Sequence, residues 1–296
     1  MPSRSSRASG PALSAREARV KQALDGVRAR CDLAARRAAD PVGLVHAYTR
    51  DEDRELVALL SACIAFGNVK TIRAKLGDLL ARLGPSPASL ADDPGVVRAR
   101  LRGWKHRVFR DDDIARLLLG ARAVQRRAGS LGAPLLSVLR RGGSLRDALA
   151  AWCDAVREAG GLRRGGRRRG PAHLLPNPRG ASSNKRLLLF LRWMGRPADG
   201  VDLGLWPLDP ARLLVPVDVH IHKLSRNLGF TSRRAPSWLA AEEITRALAR
   251  FDPADPTKYD FSLCHLGMVQ RCPSRRDPAR CEGCGVRPVC VHWEGR

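Results

Sequence analysis

Apolar residues recur along this chain at intervals of three and four, a spacing that predicts helix after helix. Over residues 14–38 charged positions alternate with Val20, Leu24, Val27 and Leu33. The stretch DRELVALLSACIAF, Asp53–Phe66, is apolar nearly all round and reads as a buried helix. Beyond Gly67 and Asn68, Ile72, Leu76, Leu79, Leu80 and Leu83 mark a helix over 69–83. Further helices are predicted at about 111–128, 144–158, 182–195, 218–228, 237–251 and 257–268. Sustained alternation is missing and Thr, Tyr and Ile are few, so strands are not expected. No repeat of solenoid length appears. The expected class is all-α, in one or two lobes, with the glycine-rich basic stretch at 160–172 as the seam. Residues 1–13, mostly Ser, Arg, Pro and Gly at first, read as a disordered basic arm.

Charge adds a partner. The chain carries 53 Lys+Arg against 29 Asp+Glu, a formal net charge of +24. Such an excess draws a protein to phosphate polyanions. Genome-wide base composition that enriches arginine would give the same totals, but clustering favours a nucleic-acid role. Arg163, Arg164, Arg167, Arg168 and Arg169 form one run, interleaved with glycines and closed by Pro171, which predicts a flexible basic loop. No segment approaches the ~20 continuous apolar residues of a membrane span, and the N-terminus lacks the apolar core of a signal peptide. The expectation is a cytoplasmic, nucleoid-associated protein with no membrane contact.

Four of the eight cysteines change the picture again. Cys272, Cys281, Cys284 and Cys290 are spaced C-x8-C-x2-C-x5-C, close enough to turn inward around one centre. A disulfide staple is disfavoured in a chain of this length without a secretory signal. Zinc sites usually bring their ligands as two separated pairs, whereas iron–sulfur clusters are held by four thiolates in sequence-specific runs. Spacing alone leaves both groups open. Cys31, Cys63, Cys153 and Cys264 are scattered and read as small buried hydrophobes.

Two helical segments carry candidate chemistry. In HLLPNPRGASSNKRLLLFLRWMG, Pro178 and Gly180 make a turn and Ser182 or Ser183 is expected to cap a helix whose first turn holds Lys185. In VPVDVHIHKLSRNLG, Asp218 sits at the cap position, Val217, Ile221, Leu224 and Leu228 form the apolar stripe, and Gly229 ends the helix. Singly, Asp218 is most simply an N-cap and Lys185 a solvated lysine. His220 and His222 fall on different faces, one toward a cleft or both at an ordinary surface.

Together these pieces resemble the helix-hairpin-helix DNA glycosylase superfamily, which contains endonuclease III and the adenine glycosylase acting at oxidised-guanine mispairs. The resemblance covers roughly residues 50–84 and 174–290. LLSACIAFGNVKTIRAKL resembles that family's early LLSAQ-type helix, with Cys63 where glutamine is usual. VPVDVHIHKLSRNLG resembles its VDTHVxRVxxRLG signature, which puts Asp218 on the catalytic aspartate. LLP followed by Lys185-Arg186-Leu187 resembles the hairpin that ends in the catalytic lysine of the lyase members. The terminal cysteines resemble its [4Fe-4S] loop, with the first interval two residues longer. Closer still is a subgroup of uncharacterised bacterial proteins bearing LLP…KR…FLRWM and VDLGLW.

The resemblance implies a two-lobed, all-α glycosylase-like fold with a degenerate hairpin and an iron–sulfur loop over 272–290. One lobe would span about 46–160, the other about 14–45 with 172–296. It implies a monomeric base-excision repair enzyme acting on damaged or mispaired double-stranded DNA, with Asp218 stabilising the sugar cation or orienting the attacking nucleophile and Lys185 attacking the sugar to form a Schiff base. Without that lysine chemistry the enzyme would be monofunctional. Two departures stand out. The hairpin is expected to be Gly-apolar-Gly, but the turn here is Asn177–Asn184 with one glycine. Arg179, Ser182, Ser183 and Asn184 would then take over phosphate contact, helped by Arg167, Arg168 and Arg169. An insertion over 196–214, holding Asp202 and Trp206, is expected near the active cleft. The rival expectation is a non-catalytic DNA-binding protein that kept fold and cluster.

Overall fold

The computed structural model describes residues 12–162, 169–273 and 275–294. These residues are mostly helical, and their only strands are the two-residue antiparallel pair β1 (Lys105–His106) and β2 (Phe109–Arg110). The α-helices in chain order are α1 (Ala15–Ala29), α2 (Leu33–Ala39), α3 (Val42–Val45), α4 (Asp51–Ile64), α5 (Val69–Leu83), α6 (Pro87–Leu90), α7 (Pro94–Leu101) and α8 (Asp111–Ala128). They continue as α9 (Ala133–Arg140), α10 (Leu145–Gly160), α11 (Gly170–Leu174), α12 (Lys185–Gly195), α13 (Val219–Asn227), α14 (Trp238–Ala249) and α15 (Asp260–Val269). Among the described residues no helix is long and apolar enough to cross a membrane.

Capping chemistry sets many of the boundaries. Ser14 and Glu17 form a reciprocal capping box at α1, and Asn68, Asp93, Ser144 and Ser237 accept first-turn amides of their helices. The single helix expected over 14–38 is two, because Asp32 accepts the Ala35 amide and starts α2 anew. Residues 1–11 of the expected arm lie outside the described residues, and Leu13 already packs on the core. Of the basic loop expected over 160–172, residues 163–168 lie outside the described residues. Pro171 starts α11 rather than closing a loop, since a proline in the first turn forfeits no helical hydrogen bond.

The centre of the fold is α4, buried from Glu55 to Ile64. It packs against α3, α5, α6, α8 and α12. Its buried Glu55 is satisfied on both oxygens: Oε1 accepts from Trp206 Nε1 (2.6 Å) and Ser130 Oγ (2.8 Å), Oε2 from Gln125 Nε2 (2.6 Å) and the Leu131 amide (2.9 Å). Meeting every acceptor in this way is what makes a buried carboxylate tolerable. Helices α8 and α10 cross at Gly120 and Gly160, where a Cβ on Gly120 would lie 2.3 Å from the Val156 carbonyl. Elsewhere α13 packs on α15, and α15 on α1. The insertion over 196–214 folds behind α12, not into a cleft. Trp206 is buried edge-on to Phe190 (5.2 Å between ring centroids), and buried Asp202 pairs with Arg192 (3.1 Å) and Arg196. Apolar area on Trp206 and a guanidinium partner for Asp202 hold the segment there.

Candidate active site and thiol loop

Helices α5, α11, α12, α13 and α15 contribute to the wall of a cavity of about 690 Å³. Lys185 and Asp218, distant in sequence, both line it. Asp218 is the N-cap of α13: its Oδ1 accepts the His220 and Ile221 amides, each at 2.9 Å. Those amides and the helix dipole favour an anion at this position. Val217, Ile221, Leu224 and Leu228 are buried, and Gly229 ends the helix at φ +77°, both as the sequence predicts. Asp218 thereby stands at the cavity on a helix seated by its apolar stripe.

Lys185 is the first residue of α12, half-buried, with no ion pair or side-chain hydrogen bond among the described residues. Neither serine caps this helix. The N-cap is Asn184, buried in the left-handed region (φ +50°), with its Nδ2 donating to the Ser182 carbonyl at 3.0 Å. Asparagine tolerates that conformation better than most side chains. Ser182 Oγ instead accepts the Asn184 amide (3.2 Å), and Ser183 Oγ donates to the Val217 carbonyl (3.1 Å), tying the turn to the residue before Asp218. Ser182, Ser183 and Asn184 all line the cavity.

Next to Lys185, Arg186 turns onto the opposite wall. Its guanidinium donates to the Cys63 and His173 carbonyls and lies over the Phe66 ring, 5.4 Å from the centroid. Phe66 and His173 face the cavity 4.8 Å apart between centroids. Burial, with the Arg186 charge, lowers the His173 pKa, leaving a neutral imidazole near pH 7. Behind Asp218, buried Asp260 has its pKa pushed up to about 6 by burial, against the opposing pull of Arg192. Of the two histidines after Asp218, His220 lines the cavity, while His222 is buried with Nε2 3.0 Å from the Arg233 carbonyl.

Arg179 and Arg169, also expected to contact DNA, do not line this cavity. Arg179 is exposed on the turn before α12 and pairs with Asp154 (3.4 Å) and, more loosely, Asp147 (4.0 Å). Arg146 of α10 donates to the Pro178 and Gly180 carbonyls of the same turn at 2.9 and 2.8 Å. Arg169 is exposed at the N-cap of α11; Arg167 and Arg168 lie outside the described residues.

Phe66 and His173 escaped the sequence reading, and so did Cys264 and Asp40. Cys264, read as a buried hydrophobe, is half-buried on the cavity wall with its thiol against Asp218. Asp40, at the end of α2, faces the same space, with Oδ2 3.8 Å from His265 Nε2. Cys264 and Asp40 carry no motif and do not neighbour Asp218 in sequence.

The terminal cysteines form a separate site. Cys272, Cys281, Cys284 and Cys290 line one small cavity beside the end of α13, none of them in a disulfide. Asn227 Nδ2 donates to Cys272 Sγ at 3.3 Å. Burial raises the Cys272, Cys284 and Cys290 thiols, Cys272 to about 11, and the nearby loop cysteines add to the rise. Among the described residues no three His, Cys, Asp or Glu side chains are gathered as for a bound ion. The donor chemistry nevertheless fits a four-thiolate group, since the four cysteines line one small space and an amide donor already supports one of them.

No curated protein and no solved structure matches the chain. A family model does: residues 40–269 match the one described as protein of unknown function (DUF2400), a span that holds both Lys185 and Asp218 and stops short of Cys272. With well over half of its length matched, the chain belongs to the DUF2400 family.

Proposed function

We propose that this protein is a DNA N-glycosylase of base-excision repair with abasic-site lyase activity, built on the two-lobed helix-hairpin-helix glycosylase fold. The observation that carries the reading is the shared cavity of Asp218 and Lys185, one residue held by a helix terminus and the other left unpaired among the described residues. Its volume lies within the range of small-molecule sites and suits a flipped-out base. The net charge of +24 suits a double-stranded DNA partner.

In this mechanism the damaged or mispaired base leaves the stack and enters the cavity lined by α12 and α13. As the N-glycosidic bond breaks, its electron pair leaves with the base and positive charge develops on the sugar. Asp218, anchored through Oδ1, offers Oδ2 to that charge. The nitrogen lone pair of Lys185 forms the bond to the C1′ carbon as the nitrogen gives up a proton. Ring opening then yields the Schiff base from which the 3′ phosphate ester is eliminated. Cys272, Cys281, Cys284 and Cys290 would hold a [4Fe-4S] cluster, with zinc the alternative for the same thiolates, and the group's contribution there is structural cross-linking of the loop. The enzyme acts as a monomer on the nucleoid.

One observation favours a second reading, a DNA-binding module without catalysis. The hairpin turn lacks paired glycines, Arg146 occupies two of its carbonyls, and Arg179 is engaged with Asp154. Incubation with a panel of damaged-base duplexes, with borohydride present, separates the two. Base release or a trapped covalent adduct supports the enzyme; salt-sensitive binding with neither supports the module.

A further inference from the structure

The two oxygens of Asp218 have unlike surroundings. Oδ1 is taken by two backbone amides at 2.9 Å, while among the described residues the one hydrogen bond to Oδ2 comes from the Cys264 thiol, Sγ 3.5 Å away. Cys264 projects from α15, which packs on α13, so the contact joins two helices at the cavity wall. Burial and the carboxylates of Asp218, Asp260 and Asp40 push the thiol well above its ordinary pKa, which keeps it a proton donor at neutral pH. We propose that Cys264 is a positioning residue for Asp218: its thiol holds Oδ2 toward the cavity through a weak neutral hydrogen bond that fixes the carboxylate's direction while leaving its charge available.

The residue type matters to that role. A thiol is a weak donor, whereas a hydroxyl bonds a carboxylate more strongly and an ammonium would neutralise it. The other titratable or charged groups around the pair are Lys185 at the start of α12, Asp40 after α2, His220 on α13, and Asp260 and His265 on α15; Arg36 and Arg192 stand behind His265. None of them is hydrogen-bonded to Oδ2.

The kinetic half of the inference rests on the glycosylase reading; the contact does not. Full-length protein is alkylated with iodoacetamide between pH 7 and 10 and the modification mapped by peptide. Removing the anion in Asp218→Asn is expected to speed alkylation of Cys264 about tenfold, the ratio given by a one-unit change in thiol ionisation. Buried Cys63 and Cys153 serve as unchanged internal controls. Equal Cys264 rates in the two proteins overturn the contact.

In the excision assay, Cys264→Ala is expected to lower kcat about fivefold, the loss of one weak hydrogen bond, with KM for DNA unchanged. The acid limb of its pH profile moves to higher pH, and Cys264→Ser, with the stronger donor, moves it to lower pH. A limb that stays in place in both variants, with only thermal stability altered, reduces Cys264 to packing and overturns the proposal. A wild type that excises no base defeats the glycosylase reading, and the alkylation contrast still decides the contact.

Discussion

Replacing Asp218 by asparagine separates the two jobs that one side chain holds in this structure. As a cap, its Oδ1 accepts two amides at 2.9 Å, and an asparagine oxygen can take both. Asparagine and aspartate are near-equal caps, so the folding cost is confined to the lost charge–dipole attraction, about 0.3–1 kcal/mol. For a chain of this size that is a fall of roughly 1–4 °C in Tm. Alanine at the same position also abandons the two amides, adding about 1 kcal/mol. As an electrostatic group, Oδ2 becomes an amide that carries no charge toward the sugar. Losing one preorganised stabilising group costs about 10²–10³ in rate, or roughly 3–4 kcal/mol. Single-turnover excision, a melting curve and a DNA titration on the same preparation supply the three readouts. Excision should collapse while folding and affinity stay close to wild type. Excision within threefold of wild type in a folded Asp218→Asn protein would refute the role assigned to the carboxylate.

Lys185→Gln should abolish borohydride-trapped adducts while leaving the thiol loop intact; excision that persists, with a wild type that never traps, would make the enzyme monofunctional. Protein purified without oxygen should be yellow-brown with about four irons per chain, and Cys284→Ala should lose the colour that Cys264→Ala keeps; one zinc and no iron after anaerobic reconstitution would settle the group as zinc. DNA affinity should fall with salt by roughly 0.9 log–log units per neutralised phosphate, and joint replacement of Arg167, Arg168 and Arg169 by alanine should flatten that slope without unfolding the protein. Gly120→Ala should lower stability by about 1–3 kcal/mol, read by denaturant melting, because the new Cβ meets a backbone carbonyl 2.3 Å away that cannot rotate aside.

Where local chemistry decides, the chain was legible before any coordinates. Periodicity alone bounds α5 at 69–83 and α8 at 111–128, because an apolar stripe, an Asn68 cap and an acidic first turn all act within a few residues. The Asp218 cap and the Gly229 stop were readable for the same reason. Local chemistry misled where two options of similar energy compete. Ser182 and Ser183 are good cap residues, yet the turn closes through a left-handed Asn184 that bonds back to the Ser182 carbonyl, while Ser183 is drawn to the Val217 carbonyl of a distant segment. The 196–214 insertion looked like a cleft element, but Trp206 finds Glu55 and Phe190 behind α12.

Sequence by itself determined the helical class, most helix spans, the strong positive charge and the four-thiol spacing. Each follows from side chains a few positions apart or from simple sums over the chain. Only the tertiary structure put Lys185 at the same cavity as Asp218, set the Cys264 thiol against a carboxylate oxygen and carried Trp206 away from the site. Those juxtapositions depend on how α12 seats on α4 and α13 on α15, a packing outcome of many weak contacts summed over the whole core, which no window of sequence contains.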